Sequence, residues 1–77
     1  MNQRTKEFFI AVQDHIPIYG NTNMNAFVDG MKAIEPKFMV LETLKKHLEE
    51  NDFTFFISSK GKVYEIYRYK NPNYKKG

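Results

Sequence analysis

Basic and tyrosine side chains alternate along the C-terminal part of this 77-residue chain. Residues 60–77 carry six Lys or Arg against the single acid Glu65, whereas residues 1–59 are net acidic. Cations neutralise phosphates, and aromatic faces stack on unpaired bases. The segment therefore predicts binding of DNA or RNA. The candidate contacts are Lys60, Lys62, Arg68, Lys70, Lys75, Lys76, Tyr67, Tyr69 and Tyr74.

The same residues also suit an ordinary strand surface. Edge strands often carry Lys to prevent aggregation, and Tyr is a common strand residue. An alternative function is therefore a small inhibitor or adaptor, of the kind made by phages or mobile elements, that binds a host protein. Its contacts would be an exposed sheet face with Phe56, Val63 and Tyr67, and a free hairpin edge could pair with a partner strand.

Catalytic and metal-binding patterns are missing from the sequence. It has no Cys and no glycine-rich phosphate loop, and its two histidines, His15 and His47, are far apart. Ser58 and Ser59 lie beside a predicted turn, where serine commonly forms local hydrogen bonds. We expect a non-enzymatic protein without cofactor or metal.

The composition also bears on cellular setting. The absence of Cys, the polar start MNQRTKEFF and the lack of a long apolar run predict a cytoplasmic protein with no membrane partner. Abundant Asn, Lys, Phe, Tyr and Ile with only two Arg are typical of a genome rich in A and T. Such a bias suits a bacteriophage, a plasmid or a low-GC bacterium.

Hydrophobic spacing before residue 52 predicts three helices. Phe8 and Val12, four residues apart, favour a helix over residues 2–15, and Thr22 or Asn23 would cap a second. The third would run over residues 37–50, with Pro36 in its first turn. The predicted core contains Phe8, Val12, Phe27, Met31, Leu41, Leu44, Phe55 and Ile66.

The aromatic and branched runs at residues 53–58 and 63–69 predict a β-hairpin. A two-residue turn at Lys60 and Gly61 would place Phe55 opposite Ile66 and bury Phe55. A three-residue turn with Gly61 as a bulge would instead place Phe55 opposite Glu65. We favour the first register because its apolar positions share one face.

The predicted fold class is therefore α+β: three short helices followed by a C-terminal antiparallel hairpin, in one domain spanning residues 1–70. Residues 71–77 would form a flexible basic tail. This order is similar to that of winged-helix DNA-binding domains, with the hairpin turn as the wing. The third helix would expose Glu42, Glu49 and Glu50, so we expect the hairpin and tail to contact nucleic acid. We expect a monomer or a weak homodimer.

Overall fold

A computed structural model of the chain describes residues 5–75 and shows an α+β fold with strands at both ends. Two helices pack on one face of a four-stranded antiparallel sheet with strand order β2-β1-β4-β3. The elements in chain order are β1 (Glu7–Gln13), β2 (Ile16–Asn21), α1 (Met24–Ile34), α2 (Leu41–Glu50), β3 (Phe53–Ile57) and β4 (Val63–Lys70).

The predicted order of three helices and a hairpin is wrong, because the segment predicted as the first helix contains strand β1 and the turn that leads into β2. Phe8 and Val12 share one side of β1, since a spacing of four residues returns to the same side of a strand as well as of a helix. The turn residues Asp14 and His15 have φ angles of 52° and 66°. Two consecutive left-handed residues are the geometry of a tight hairpin turn.

The predicted third helix begins later than expected. Pro36 lies in a turn in which the Phe38 amide donates to the Glu35 carbonyl at 2.9 Å, and α2 starts at Leu41. The Phe38 side chain is buried and packs edge-on against the ring of Phe27. This apolar connection between the helices therefore belongs to the core.

The favoured hairpin register is also wrong, and the bulged alternative is the one observed. Phe55 lies opposite Glu65, and Gly61 has a φ of +82°. The buried Ser58 hydroxyl accepts hydrogen bonds from the amides of Lys60 and Lys62 at 3.3 and 3.1 Å. These bonds stabilise the longer turn. The shift by one residue turns Phe55 out of the core, and it is 55% exposed.

The core lies between the sheet and the two helices. Predicted core residues Phe27, Met31, Leu44 and Ile66 are fully buried. Phe8 and Val12 are only half-buried and lie on the other side of the sheet, because Phe9 and Ala11 are the β1 residues that face the helices. The buried apolar residues are Phe9, Ala11, Phe27, Val28, Met31, Phe38, Leu44, Leu48, Tyr64 and Ile66.

The chain beyond β4 returns to the start of the described chain. The Asn71 amide donates to the Lys6 carbonyl at 2.9 Å, and the Asn71 side-chain nitrogen donates to the Thr5 carbonyl at 2.7 Å. Asn71 is only 7% exposed. These bonds fix the end of β4 beside β1, the neighbouring central strand.

Helix α1 approaches β2 closely at Gly30. Its N-cap is Asn23, one of the two predicted caps, whose side chain accepts from the Ala26 amide at 3.0 Å. The Tyr19 ring lies against Gly30, and the Tyr19 hydroxyl donates to the Ala26 carbonyl at 3.2 Å. A methyl group at residue 30 would occupy the space of that ring.

We therefore expect Gly30→Ala to lower the free energy of unfolding, although the same change inside a helix ordinarily stabilises by about 1 kcal/mol. In a Tyr19→Ala background the ring is gone, and Gly30→Ala is expected to stabilise. Urea unfolding of the four proteins measures this coupling. A stabilising effect in both backgrounds would contradict the contact.

Candidate functional site

The sheet has one face that neither helix covers. We call it the helix-free face; strand alternation places on it three residues of β1, three of β3 and four of β4. They are Phe8, Ile10, Val12, Phe53, Phe55, Ile57, Val63, Glu65, Tyr67 and Tyr69. Nine of these ten are aromatic or aliphatic, so the face resembles a protein interior more than a solvated surface.

The most exposed part of this face lies on β3 and β4. Phe55, Ile57 and Tyr69 are each 55% exposed, and Val63 is 46% exposed. The Tyr67 ring contacts both neighbours: its centroid is 5.0 Å from that of Phe53 and 6.5 Å from that of Tyr69. These rings support one another and form a connected aromatic surface.

Among these ten residues of the helix-free face, Glu65 alone is charged. Its Oε2 accepts a hydrogen bond of 2.9 Å from the Tyr67 hydroxyl. This bond to a carboxylate is the main cause that raises the pKa of Tyr67 above its usual 10.0. No Lys or Arg within residues 5–75 lies at ion-pair distance from Glu65, so its negative charge is available to a partner.

The predicted cations of β4 lie on the opposite side of the sheet. Arg68 donates to the Leu48 carbonyl at the end of α2 at 2.6 Å, and to Asp52 at 2.8 and 3.0 Å. Its Nε is also 4.0 Å from Glu7 of β1. The Arg68 hydrogen bond is the main cause that lowers the pKa of Asp52. Arg68 is thus a structural link between the helix and the sheet.

Lys70 also lies on the helix side, with its Nζ 4.0 Å from Asp52. Lys60 and Lys62 line a groove of about 300 Å³ together with Lys37 and Glu35. Lys37 belongs to the connection between the helices, and sequence reasoning did not select it as a contact.

The remaining predicted contacts are at the C-terminus. Tyr74 and Lys75 are exposed, and Tyr74 donates its amide to the Asn71 carbonyl at 3.2 Å. Lys76 lies outside the described residues. The predicted set of cations and tyrosines is therefore not one surface, because Tyr67 and Tyr69 occupy the face opposite to Arg68 and Lys70.

The predicted protein-binding set is brought together only in part. Val63 and Tyr67 lie on the helix-free face, whereas Phe56 faces the helices and packs against Phe38 with a centroid distance of 5.4 Å. Sequence reasoning missed Phe53 and Phe55 as surface residues because the register of β3 was inverted. The sequence signal that identifies them is the Gly61 bulge.

A second groove, of about 540 Å³, lies between α2 and β3. His47 of α2 borders it, with its Nδ1 3.1 Å from the Thr54 hydroxyl. Within residues 5–75 no three His, Asp or Glu side chains are close enough together to hold a metal ion. The groove leaves the outer side of β3 open beside α2.

In the part of the chain that the structure describes, no helix has both the length and the apolar character required to cross a membrane. A scan of family models, a search of curated proteins and a search of solved structures each find no match to this chain.

Proposed function

We propose that this protein is a non-enzymatic binding module that docks a partner protein on its helix-free face. The observation that carries the proposal is the separation of side chains across the sheet: exposed rings and aliphatic groups lie on one face and the cations on the other. Large connected apolar patches on small proteins commonly mark interaction sites. This function corresponds to an inhibitor or adaptor.

The chemistry of the face specifies the partner surface. Phe55, Ile57 and Tyr69 require an apolar counterpart that excludes water, and aromatic residues are enriched at the centre of protein interfaces. Glu65 requires a basic group, since a buried unpaired carboxylate is costly. The partner that suits this surface is a protein with an apolar patch and an Arg or Lys positioned to meet Glu65.

Nucleic acid is the second candidate, and one observation favours it. Lys37, Lys60 and Lys62 line a single groove on the helix side, where they could contact successive phosphates. Tyr67 and Tyr69 lie across the sheet and cannot stack on bases held there. Binding in this groove would therefore depend on the backbone charge and would weaken steeply with salt.

A pair of variants in the same hairpin separates the two functions. Val63→Lys places a charge in the apolar face, whereas Lys60→Gln with Lys62→Gln removes cations from the groove without touching that face. If the partner is a protein, we expect Val63→Lys to abolish its capture from a lysate and the Gln pair to retain it. Titration of the purified partner should then show at least a roughly 30-fold loss, the scale of an interface hot spot.

Gel shifts with single- and double-stranded DNA and RNA at two salt concentrations provide the other arm. Nucleic-acid binding predicts complexes that Lys60→Gln with Lys62→Gln removes and Val63→Lys keeps. That outcome, together with protein capture that is insensitive to Val63→Lys, would overturn the proposal. Circular dichroism of each variant verifies that the fold is retained.

A further inference from the structure

The outer edge of β3 presents unpaired backbone groups. The Arg68 amide donates to the Asp52 carbonyl at 2.9 Å, and the Ser58 amide donates to the Lys62 carbonyl at 2.8 Å. These bonds lie at the two ends of β3. They fix which of its residues bond to β4, because the bonding direction alternates along an antiparallel strand. The residues whose amides and carbonyls point away from the sheet are Phe53, Phe55 and Ile57.

The two edges of the sheet differ in their protection. Edge strand β2 contains Pro17, which has no amide hydrogen, and its pairing with β1 is irregular between Ala11 and Val12. Proline and irregular pairing both discourage addition of another strand. Strand β3 reads FTFFI, with no charge, proline or glycine, and within residues 5–75 no group bonds to its outward backbone. Of the two edges, the β3 edge is therefore the more open to another strand.

We propose that the β3 edge pairs with the β3 edge of a second copy of this chain. In the antiparallel register centred on Phe55, this residue lies opposite its own counterpart, and Phe53 lies opposite the counterpart of Ile57. Every outward amide and carbonyl of these residues then gains a partner. The two sheets become one continuous sheet of eight strands with a twofold axis at Phe55.

The sequence of β3 favours a second copy as the occupant. Its side chains form aromatic and aromatic–aliphatic cross-strand pairs with themselves, which stabilise sheets. No charged residue of β3 meets its counterpart, and Glu65 lies one strand inward. The protected β2 edge stops further addition, so pairing ends at a closed dimer. This inference does not depend on the proposed function. The dimer would carry two helix-free faces and would therefore be bivalent for a docked partner.

Amide hydrogen exchange of the unmodified protein at low and high concentration tests the register. At low concentration, the amides of Phe53, Phe55 and Ile57 should exchange rapidly, while those of Thr54 and Phe56 are protected by β4. At high concentration, sedimentation should show a dimer, and the first three amides should become protected as well. A strict monomer at high concentration, or a dimer in which those three amides still exchange rapidly, would overturn the proposal.

Two substitutions at residue 55 isolate the backbone contribution. Phe55→Ala and Phe55→Pro both remove the ring, but only proline removes the outward amide hydrogen, and proline is tolerated at such edge positions. We expect Phe55→Pro to be monomeric at concentrations at which Phe55→Ala still dimerises. Equal dimerisation of the two folded variants would contradict strand pairing, and the exchange experiment decides the question if the proline variant does not fold.

The dimer and the docked partner can fail separately. Val63 lies on the helix-free face, one strand inward from the β3 edge. Val63→Lys should therefore abolish partner capture and leave the dimer unchanged. Loss of both would instead show that the second copy is the occupant of the helix-free face and would overturn the edge pairing.

Discussion

Leu44→Ala is expected to lower the free energy of unfolding by about 2–5 kcal/mol. Leu44 is fully buried in the layer between α2 and the sheet, so truncation removes apolar contacts and leaves a cavity. A small domain is stabilised by only about 5–15 kcal/mol in total. The variant should therefore lose a substantial share of the stability of the fold. Urea denaturation followed by circular dichroism measures the change.

Thr43→Ala provides the matched control, since Thr43 is the preceding residue of the same helix and is exposed. Surface substitutions of this kind usually change stability by no more than about 0.5 kcal/mol. If both variants lost the same amount, α2 would not be packed through Leu44, and the arrangement of the core would be wrong.

The two helices could be predicted because their patterns are local. Met24 with Phe27 in α1, and Leu41 with Leu44 in α2, are three residues apart, a spacing that keeps side chains on one face of a helix but places them on opposite sides of a strand. The strand β1 could not be distinguished from a helix in this way, since Phe8 and Val12 lie on the same side of either element. Its turn at Asp14 also lacks the glycine that usually marks a two-residue hairpin.

The sequence predicts which residues of the candidate site share a side of one strand, but not which side of the sheet faces the helices. Val63 and Tyr67 were correctly placed on one face of β4, since alternation within a strand is fixed by sequence. The same alternation places Tyr67 and Arg68 on opposite sides of the sheet. The number of cations and tyrosines in the segment does not reveal this separation. The position of β4 between β1 and β3 was not predictable, because it depends on pairing between distant segments. The contact of Arg68 with Asp52 follows instead from the bulged register of the β3–β4 hairpin, which places residue 52 opposite residue 68.

Replacement of Arg68 is the sharpest test of this separation. Sequence alone places Arg68 among the phosphate contacts, whereas the structure places its guanidinium on Asp52 and on the Leu48 carbonyl, with only 15% of the side chain exposed. Arg68→Met keeps an apolar stem and removes these bonds. We expect a loss of about 1.5–3 kcal/mol in the free energy of unfolding, the range for hydrogen bonds that involve charged groups.

The pH dependence of this loss identifies its source. The pKa of Asp52 is lowered below 3.8 in the folded protein, mainly by the Arg68 hydrogen bond. The ion pair therefore stabilises the fold at pH values above 3.8, and its contribution disappears as the pH falls through the lowered folded-state pKa. The stability difference between the native protein and Arg68→Met should thus be largest near neutral pH and shrink in acid. In the variant, the carboxyl pKa of Asp52 measured by NMR should return towards 3.8.

Lys70→Met is the control, because Lys70 is the neighbouring cation on the same side and its side chain is 67% exposed. Its ion pair with Asp52 is a surface contact and is expected to contribute little to stability. Stability unchanged by Arg68→Met, combined with weaker binding to DNA or RNA, would show that Arg68 contacts phosphates. In that case the division of the sheet into an apolar docking face and a structural cation would be wrong, and the basic strand itself would be the nucleic-acid surface.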